Sequence, residues 1–268
     1  MPPLATPPAA GSGLPRFANI LRSETCKLLT VRSTYWTLLA ALASNVVFAA
    51  LAAVFLPGQL TTQEKATFDV TRVSLIGIHL SQIAFGVLAV LAITGEYSTG
   101  MIRATLSAVP QRRTMLAAKA VVFAVTALAV GLISSFAAYF AFQAFLSDST
   151  LGSSIGDPGV LRAVSGGGLF LTVLGLLGLG LGAVIRVSAG AIAAVFGLLF
   201  VPPILLGLLP QAWRTTVGPY IPMQAGGQIF ALRHEAGSLE VWTGFGLFSL
   251  YAAIALGLGF TLIGRRDA

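Results

Sequence analysis

AVVFAVTALAVGLISSFAAYFAFQAFL, residues 120–146, runs for 27 residues without an Asp, Glu, Lys or Arg. As a helix rising about 1.5 Å per residue it would reach about 40 Å, enough to cross a hydrocarbon core of about 30 Å. Five further charge-free apolar runs surround it, at 35–56, 73–94, 163–185, 187–209 and 241–264. Six runs of this length in 268 residues leave room only for short connections. The fold class expected is therefore all-α integral membrane, with six transmembrane helices. A soluble all-helical domain is excluded because such domains do not carry repeated spans of this length.

Charge sorts the connections. Threading the six runs alternately places 11 basic residues on the face bearing both ends of the chain and 5 on the opposite face. Acidic residues lean the other way. The excess of Lys and Arg puts the first face, with the N- and C-termini, in the cytoplasm of a cell-membrane protein. The net charge of +7 suggests nucleic acid at first sight. The basic residues flank span ends, however, where they set orientation and meet anionic headgroups, so no nucleic-acid partner is expected. The lipid bilayer is the first partner. Cys26 is the only cysteine, which excludes an internal disulfide and a cysteine metal site. No metal site and no bound cofactor are expected.

The chain divides into a Pro/Ala-rich tail at 1–13, expected to be disordered, and an amphipathic interfacial helix within 14–34. A six-helix membrane domain follows over 35–264, and a basic end at 265–268. No cleavable signal sequence is evident, and the first span is read as retained. Within 14–30, Phe17, Ile20, Leu21 and Leu28 fall at helical spacing among polar and basic residues, the pattern of a helix lying in the plane of the interface. The segment 210–240 is too long for a turn and reads as short interfacial or re-entrant helices. Arg186 and its neighbours alone separate the fourth and fifth runs, which makes those two a tight hairpin. Gly178 and Gly182 in the fourth run form a small-xxx-small pair that lets another helix come close. Pro202 and Pro203 should kink the fifth run.

The longest inner connection, 95–119, reads GEYSTGMIRATLSAVPQRRTMLAAK. Ile102, Leu106 and Val109 sit at i, i+4 and i+7, and Pro110 ends the pattern, so a short amphipathic helix lies between the second and third spans. Such an element is either a helical topology loop or a docking surface for another protein.

The residues of this connection resemble a known family. Glu96-Tyr97, Gly100, Met101-Ile102, Arg103, Leu106, Pro110, Arg112-Arg113 and Lys119 follow one another as in the loop between the second and third spans of ABC-2-type transporter permeases. LRSETCKLLTVRSTYWTLL near the start, GDPGVLRAV before the fourth span, IPMQAGGQIF before the sixth and the RRDA end add to the likeness, which covers the chain after Leu14. The resemblance implies a permease subunit of an ATP-driven ABC exporter. Such a subunit pairs with a second permease, the same or a related chain, and with two copies of a separate ATP-binding subunit. By position, Glu96, Gly100, Ile102, Arg103, Leu106 and Pro110 would form the cytoplasmic coupling helix. Glu24, Lys27 and Arg32 would lie on or at the end of the in-plane helix beside the same partner. ATP and Mg would be held by the partner. Indeed GxxxxGK followed by Ser or Thr is absent here, and none of Lys27, Lys65 and Lys119 follows a glycine. The chain is thus expected to be a permease and not itself an enzyme.

Polar residues inside the spans mark a candidate substrate path: Asn45, His79, Gln82, Phe85 and Tyr139. Polar groups in hydrocarbon are turned inward and paired, so the same residues also fit plain helix-to-helix hydrogen bonding. A hydrophobic or amphipathic cargo, such as a drug, an antibiotic or a lipid-like molecule, is the expected substrate class. The alternative is a non-ABC multi-pass protein, either a secondary transporter or a non-transporting anchor or sensor. A secondary transporter would need charged relay residues inside its spans, and these runs carry none.

Overall fold

The computed structural model describes residues 17–61, 63, 68–102, 111–146, 152–233 and 237–265. Among them the chain is helical, with no strand. A first helix, α1, covers Phe17–Thr30. The six long apolar helices are α2 (Arg32–Phe55), α4 (Ile78–Ser98), α5 (Arg112–Leu146), α6 (Val160–Ile185), α7 (Ser188–Gly207) and α10 (Val241–Arg265). Short helices fill the connections: α3 (Val70–Ser74), α8 (Gln211–Val217) and α9 (Pro222–Gly227), with single 3-10 turns at Gly218–Tyr220 and Gln228–Phe230. Each of the six is long and apolar enough to cross a bilayer, so the chain is a multi-pass membrane protein.

α6 is the central post. It packs against α4, α5, α7 and α10 and buries residues around most of its circumference. Its glycines make that possible. A Cβ on Gly131 of α5 would sit 2.9 Å from the Cα of Gly168 in α6. The Gly178/Gly182 pair faces α4, where added Cβ atoms would come within 3.1 Å of Ala89 and 2.7 Å of Ile93. Without a hydrophobic drive between helices in lipid, this backbone proximity and its dispersion contacts are what hold α5, α6 and α4 together. Phe170 stacks on Phe248 of α10 with ring centroids 5.1 Å apart, which extends the packed core to the sixth span. α2 and α7, by contrast, leave long apolar faces outward, including Leu39, Val47, Leu51, Leu198, Val201 and Leu205, as lipid-facing helices do.

Four expectations about elements are met. The hairpin between α6 and α7 is tight: Arg186 turns the chain in a left-handed conformation, φ 64°, and only Val187 follows before α7. Short helices occupy the connection before the sixth span. A helix near the N-terminus, Phe17–Thr30, exists, and the pair Gly178/Gly182 lies at a helix contact.

Two boundaries need correction. The second span does not begin at Val73; α3 ends at Ser74, the chain breaks at 75–77, and α4 starts at Ile78. The break sits where Gly77 presses on α2, because a Cβ there would be 2.4 Å from the Cα of Asn45. Second, the helix placed within 14–34 ends at Thr30. An extended residue, Val31, separates it from α2, and Arg32 is the first residue of the first span. Within α1, Ile20 is buried, Leu21 and Leu28 are half-buried, and Phe17 is exposed. α7 runs as one helix through Pro202 and Pro203 to Gly207.

Two ends of the bundle can be told apart by what meets there. At the first, α1 lies against the end of α4 and the start of α5, and the side chains of Arg112 and Arg186 reach the carbonyls of Ile263 and Leu262 at the end of α10. At the second, Arg162 of α6 donates to the carbonyls of Ile229 and Ala231. There too the Asp69 carboxylate accepts from the backbone of Arg72 and Leu232. Arg162 and Asp69 thus fasten the connection before α10 to the tops of α6 and α3.

Candidate functional site: a buried ion cluster and a polar layer

At the first end, four charged side chains from three helices converge. Glu24 and Lys27 stand one turn apart on α1, Glu96 lies in the last turn of α4, and Lys119 lies two turns into α5. The Lys119 ammonium donates to Glu24 Oε2 at 2.5 Å and to Glu96 Oε1 at 2.9 Å. Lys27 donates to Glu24 Oε1 at 2.7 Å and to Glu96 Oε1 at 3.1 Å. Each carboxylate therefore receives both ammonium groups, and the cluster is electrically balanced. Glu24 and Glu96 are each 4% exposed and Lys119 6%. Ions this far from water persist only when paired, because desolvation would otherwise neutralise them. Burial alone would raise the Glu24 carboxyl, but the ammonium groups of Lys119 and Lys27 outweigh it and hold the group below its ordinary value. Burial would lower the Lys27 ammonium; the carboxylates of Glu24 and Glu96 reverse that and raise it.

The cluster closes one side of a cavity of about 400 Å³ between α1, α2, α4 and α5, walled by Leu28, Thr37, Leu88, Ala92, Val122 and Phe123. Near it, the Arg186 guanidinium lies over the Tyr97 ring at 5.1 Å from the centroid. The Ser188 hydroxyl donates to Thr94 at 2.8 Å. These contacts tie the α6–α7 turn to the last turns of α4.

Several expected coupling residues thus meet one another. Glu24, Lys27 and Glu96 come together in the cluster, and two of the three are turned inward. Gly100 follows α4 with a positive φ of 70°, and Met101 and Ile102 start the next helical turn, Ile102 buried and Met101 exposed. Arg103, Leu106 and Pro110 lie outside the described residues. Arg32 is exposed at the head of α2 and takes no part in the cluster. Lys119, which joins both carboxylates, figures in the family likeness but not among the residues that the likeness places in the coupling element.

Deeper in the bundle a polar layer spans α2, α4 and α5. Asn45 Nδ2 donates to the hydroxyl of Ser134 at 3.1 Å, and the Ser81 hydroxyl donates to the carbonyl of Ala41 at 2.7 Å. Gln82 is fully buried, yet among the described residues neither its amide nitrogen nor its oxygen has a hydrogen-bond partner, and the Asn45 Oδ1 and Ser135 hydroxyl oxygens likewise find none there. The candidate path residues therefore divide. Asn45, Gln82 and Phe85 are buried on the inner faces of α2 and α4. His79 is exposed and lines a different cavity at the second end. Tyr139 donates its hydroxyl to the carbonyl of Ser153 at 2.9 Å, which commits it to the connection between α5 and α6. Among the described residues no group of three or more His, Cys, Asp or Glu side chains could hold a metal ion.

No protein-family model matches the chain, and no curated protein matches it.

Proposed function

We propose that this chain is the membrane-spanning permease subunit of an ATP-driven exporter of the ABC-2 type. It would work with a second permease and with a separate ATP-binding subunit present in two copies. The observation that carries the reading is the four-residue ion cluster. It binds α1 to the last turn of α4 and the second turn of α5, the two helices that the connection 99–111 joins. A load applied to that connection or to α1 is passed to the spans as a unit, because a largely buried, charge-balanced ion cluster resists being pulled apart. Rigid-body displacement of packed helices is an ordinary means of alternating access. In this reading the first end faces the cytoplasm, in keeping with the basic bias of its connections. The cargo leaves toward the second end, and it is hydrophobic or amphipathic.

The polar layer supports the same reading from the other side. Unpartnered amide and hydroxyl groups inside a bundle are costly in the packed state and find partners when the helices around them separate. Reconstitution tests the proposal. Vesicles holding this chain with its co-purified ATPase subunit should export an amphipathic dye only with hydrolysable ATP, and vesicles holding this chain alone should not. Export by the chain alone would overturn it.

A further inference from the structure

A second cavity, of about 430 Å³, opens at the far end of the bundle from the ion cluster. Its polar lining joins two guanidinium groups to amides and hydroxyls that can donate as well as accept. Arg72 comes from α3, His79 from the first turn of α4, Gln211 and Arg214 from α8, and Gln224 and Gln228 from the α9 segment. No Asp or Glu among the described residues lines it. In sequence, Glu235 and Glu240 each stand two residues from the lining residues Gly237 and Ser238, and Asp69 stands three from Arg72; the Asp69 carboxylate is engaged on both oxygens by the backbone of Arg72 and Leu232. Two guanidinium groups and several amides around one space favour an oxyanion, for which arginine offers parallel N–H donors. Pro203, Met223 and Phe230 give the same cavity an apolar side. Just beyond Pro203 on α7, Leu205 and Leu208 are exposed as lipid-facing residues. The cavity therefore sits where headgroups meet acyl chains.

We propose that this cavity binds a phosphate-bearing headgroup whose apolar chain lies against Pro203, Met223 and Phe230. The assignment needs no ATPase partner, so it stands or falls separately from the permease reading. It does not require Arg72 to be without other partners. It requires only that the cavity's net character be cationic and donor-rich.

The test uses the full chain in a maltoside detergent, which carries no phosphate. Calorimetric titration with decyl phosphate should show saturable binding. Arg214→Gln and Arg72→Gln should each weaken it roughly tenfold, the loss of one charge-assisted hydrogen bond. Arg214 lies on a helix with no buried residue, so its loss should leave the melting temperature of the ligand-free protein unchanged. Arg233→Gln, at an exposed arginine outside the cavity, should bind like the parent. Inorganic phosphate is the second probe. If it displaces decyl phosphate only at far higher concentration, the source is a lipid headgroup; displacement at equal concentration overturns the lipid assignment in favour of free phosphate. Decyltrimethylammonium binding as tightly as decyl phosphate, or binding unchanged in both cavity variants, would overturn the site altogether.

Discussion

The ammonium of Lys119 stands 2.5 Å from a carboxylate oxygen of Glu24, across 95 residues of chain. That contact, repeated by Glu96 at 2.9 Å, converts an amphipathic segment before the first span into a fixed part of the bundle. Without it, α1 would be held by Ile20, Leu28 and the pair between Lys27 and Glu96.

Lys119→Met should therefore be among the most damaging single changes in the protein. It leaves two buried carboxylates sharing one ammonium. Removing one partner of a buried ion cluster costs about 3–5 kcal/mol. Thermal unfolding in detergent should show a large fall in midpoint. The double variant Lys119→Met with Glu24→Gln should recover part of it, because the balance of charge is restored. Additive losses in the double variant would mean the two side chains do not act on each other.

The pH dependence follows from the same groups. Glu24 has its folded-state pKa below the ordinary 4.5, so it contributes stability that is present above 4.5 and is lost as pH falls through the lower folded value. Lys27 has its folded-state pKa above the ordinary 10.5, so its contribution is present below 10.5 and is lost as pH rises through the higher folded value. Melting temperature measured against pH should be level in between and fall at both extremes. Glu24→Gln should flatten the acid limb. An acid limb of unchanged steepness in that variant would show that other groups control it.

Close packing at the break before α4 gives a third expectation. Gly77→Ala places a methyl 2.4 Å from the backbone of Asn45, where neither helix can yield cheaply. Overpacking of this kind costs about 1–3 kcal/mol. Gly246→Ala, at a site with nothing within 4 Å, should be neutral or slightly stabilising because alanine favours helix. Circular dichroism melts of the two variants decide. Equal effects would show that the contact between α2 and the start of α4 is not tight.

Much of this architecture was legible beforehand, and the exceptions have physical causes. Span number and order follow from charge-free length alone, and Arg186 announces the hairpin because nothing else polar separates the fourth and fifth runs. The start of the second span was hidden because residues 73–77, VSLIG, are as apolar as the helix that follows. What ends the helix is a contact with Asn45, 32 residues away in the chain. Glu24, Lys27 and Glu96 were picked out through the family likeness as a partner-facing set, but their shared partner Lys119 was not, since pairing across three helices leaves no periodic trace. His79 and Gln82 stand three residues apart, about one helical turn. The structure turns Gln82 into the bundle and leaves His79 at its rim, because α4 is buried on one side only.

Gln82 separates structure from function. Both its amide atoms are buried without a partner among the described residues. Replacing such a group by an apolar one of similar shape should be neutral or stabilising, by about 1–2 kcal/mol. Gln82→Met should thus melt no lower than the parent. If the polar layer carries cargo, transport at matched expression should drop in the same variant. A stable variant with full transport would reduce the layer to packing.

The central claim, that this chain is driven through its first end by an ATP-hydrolysing partner, is tested most directly at Met101, which is exposed between Gly100 and the buried Ile102. A photoreactive amino acid placed there, in membranes of the native cell, should cross-link to a subunit with a phosphate-binding loop, and purified cross-linked material should hydrolyse ATP. Labelling only by lipid, or only by proteins without such a loop, while accessibility reagents find residue 101 on the outer side, would contradict the account.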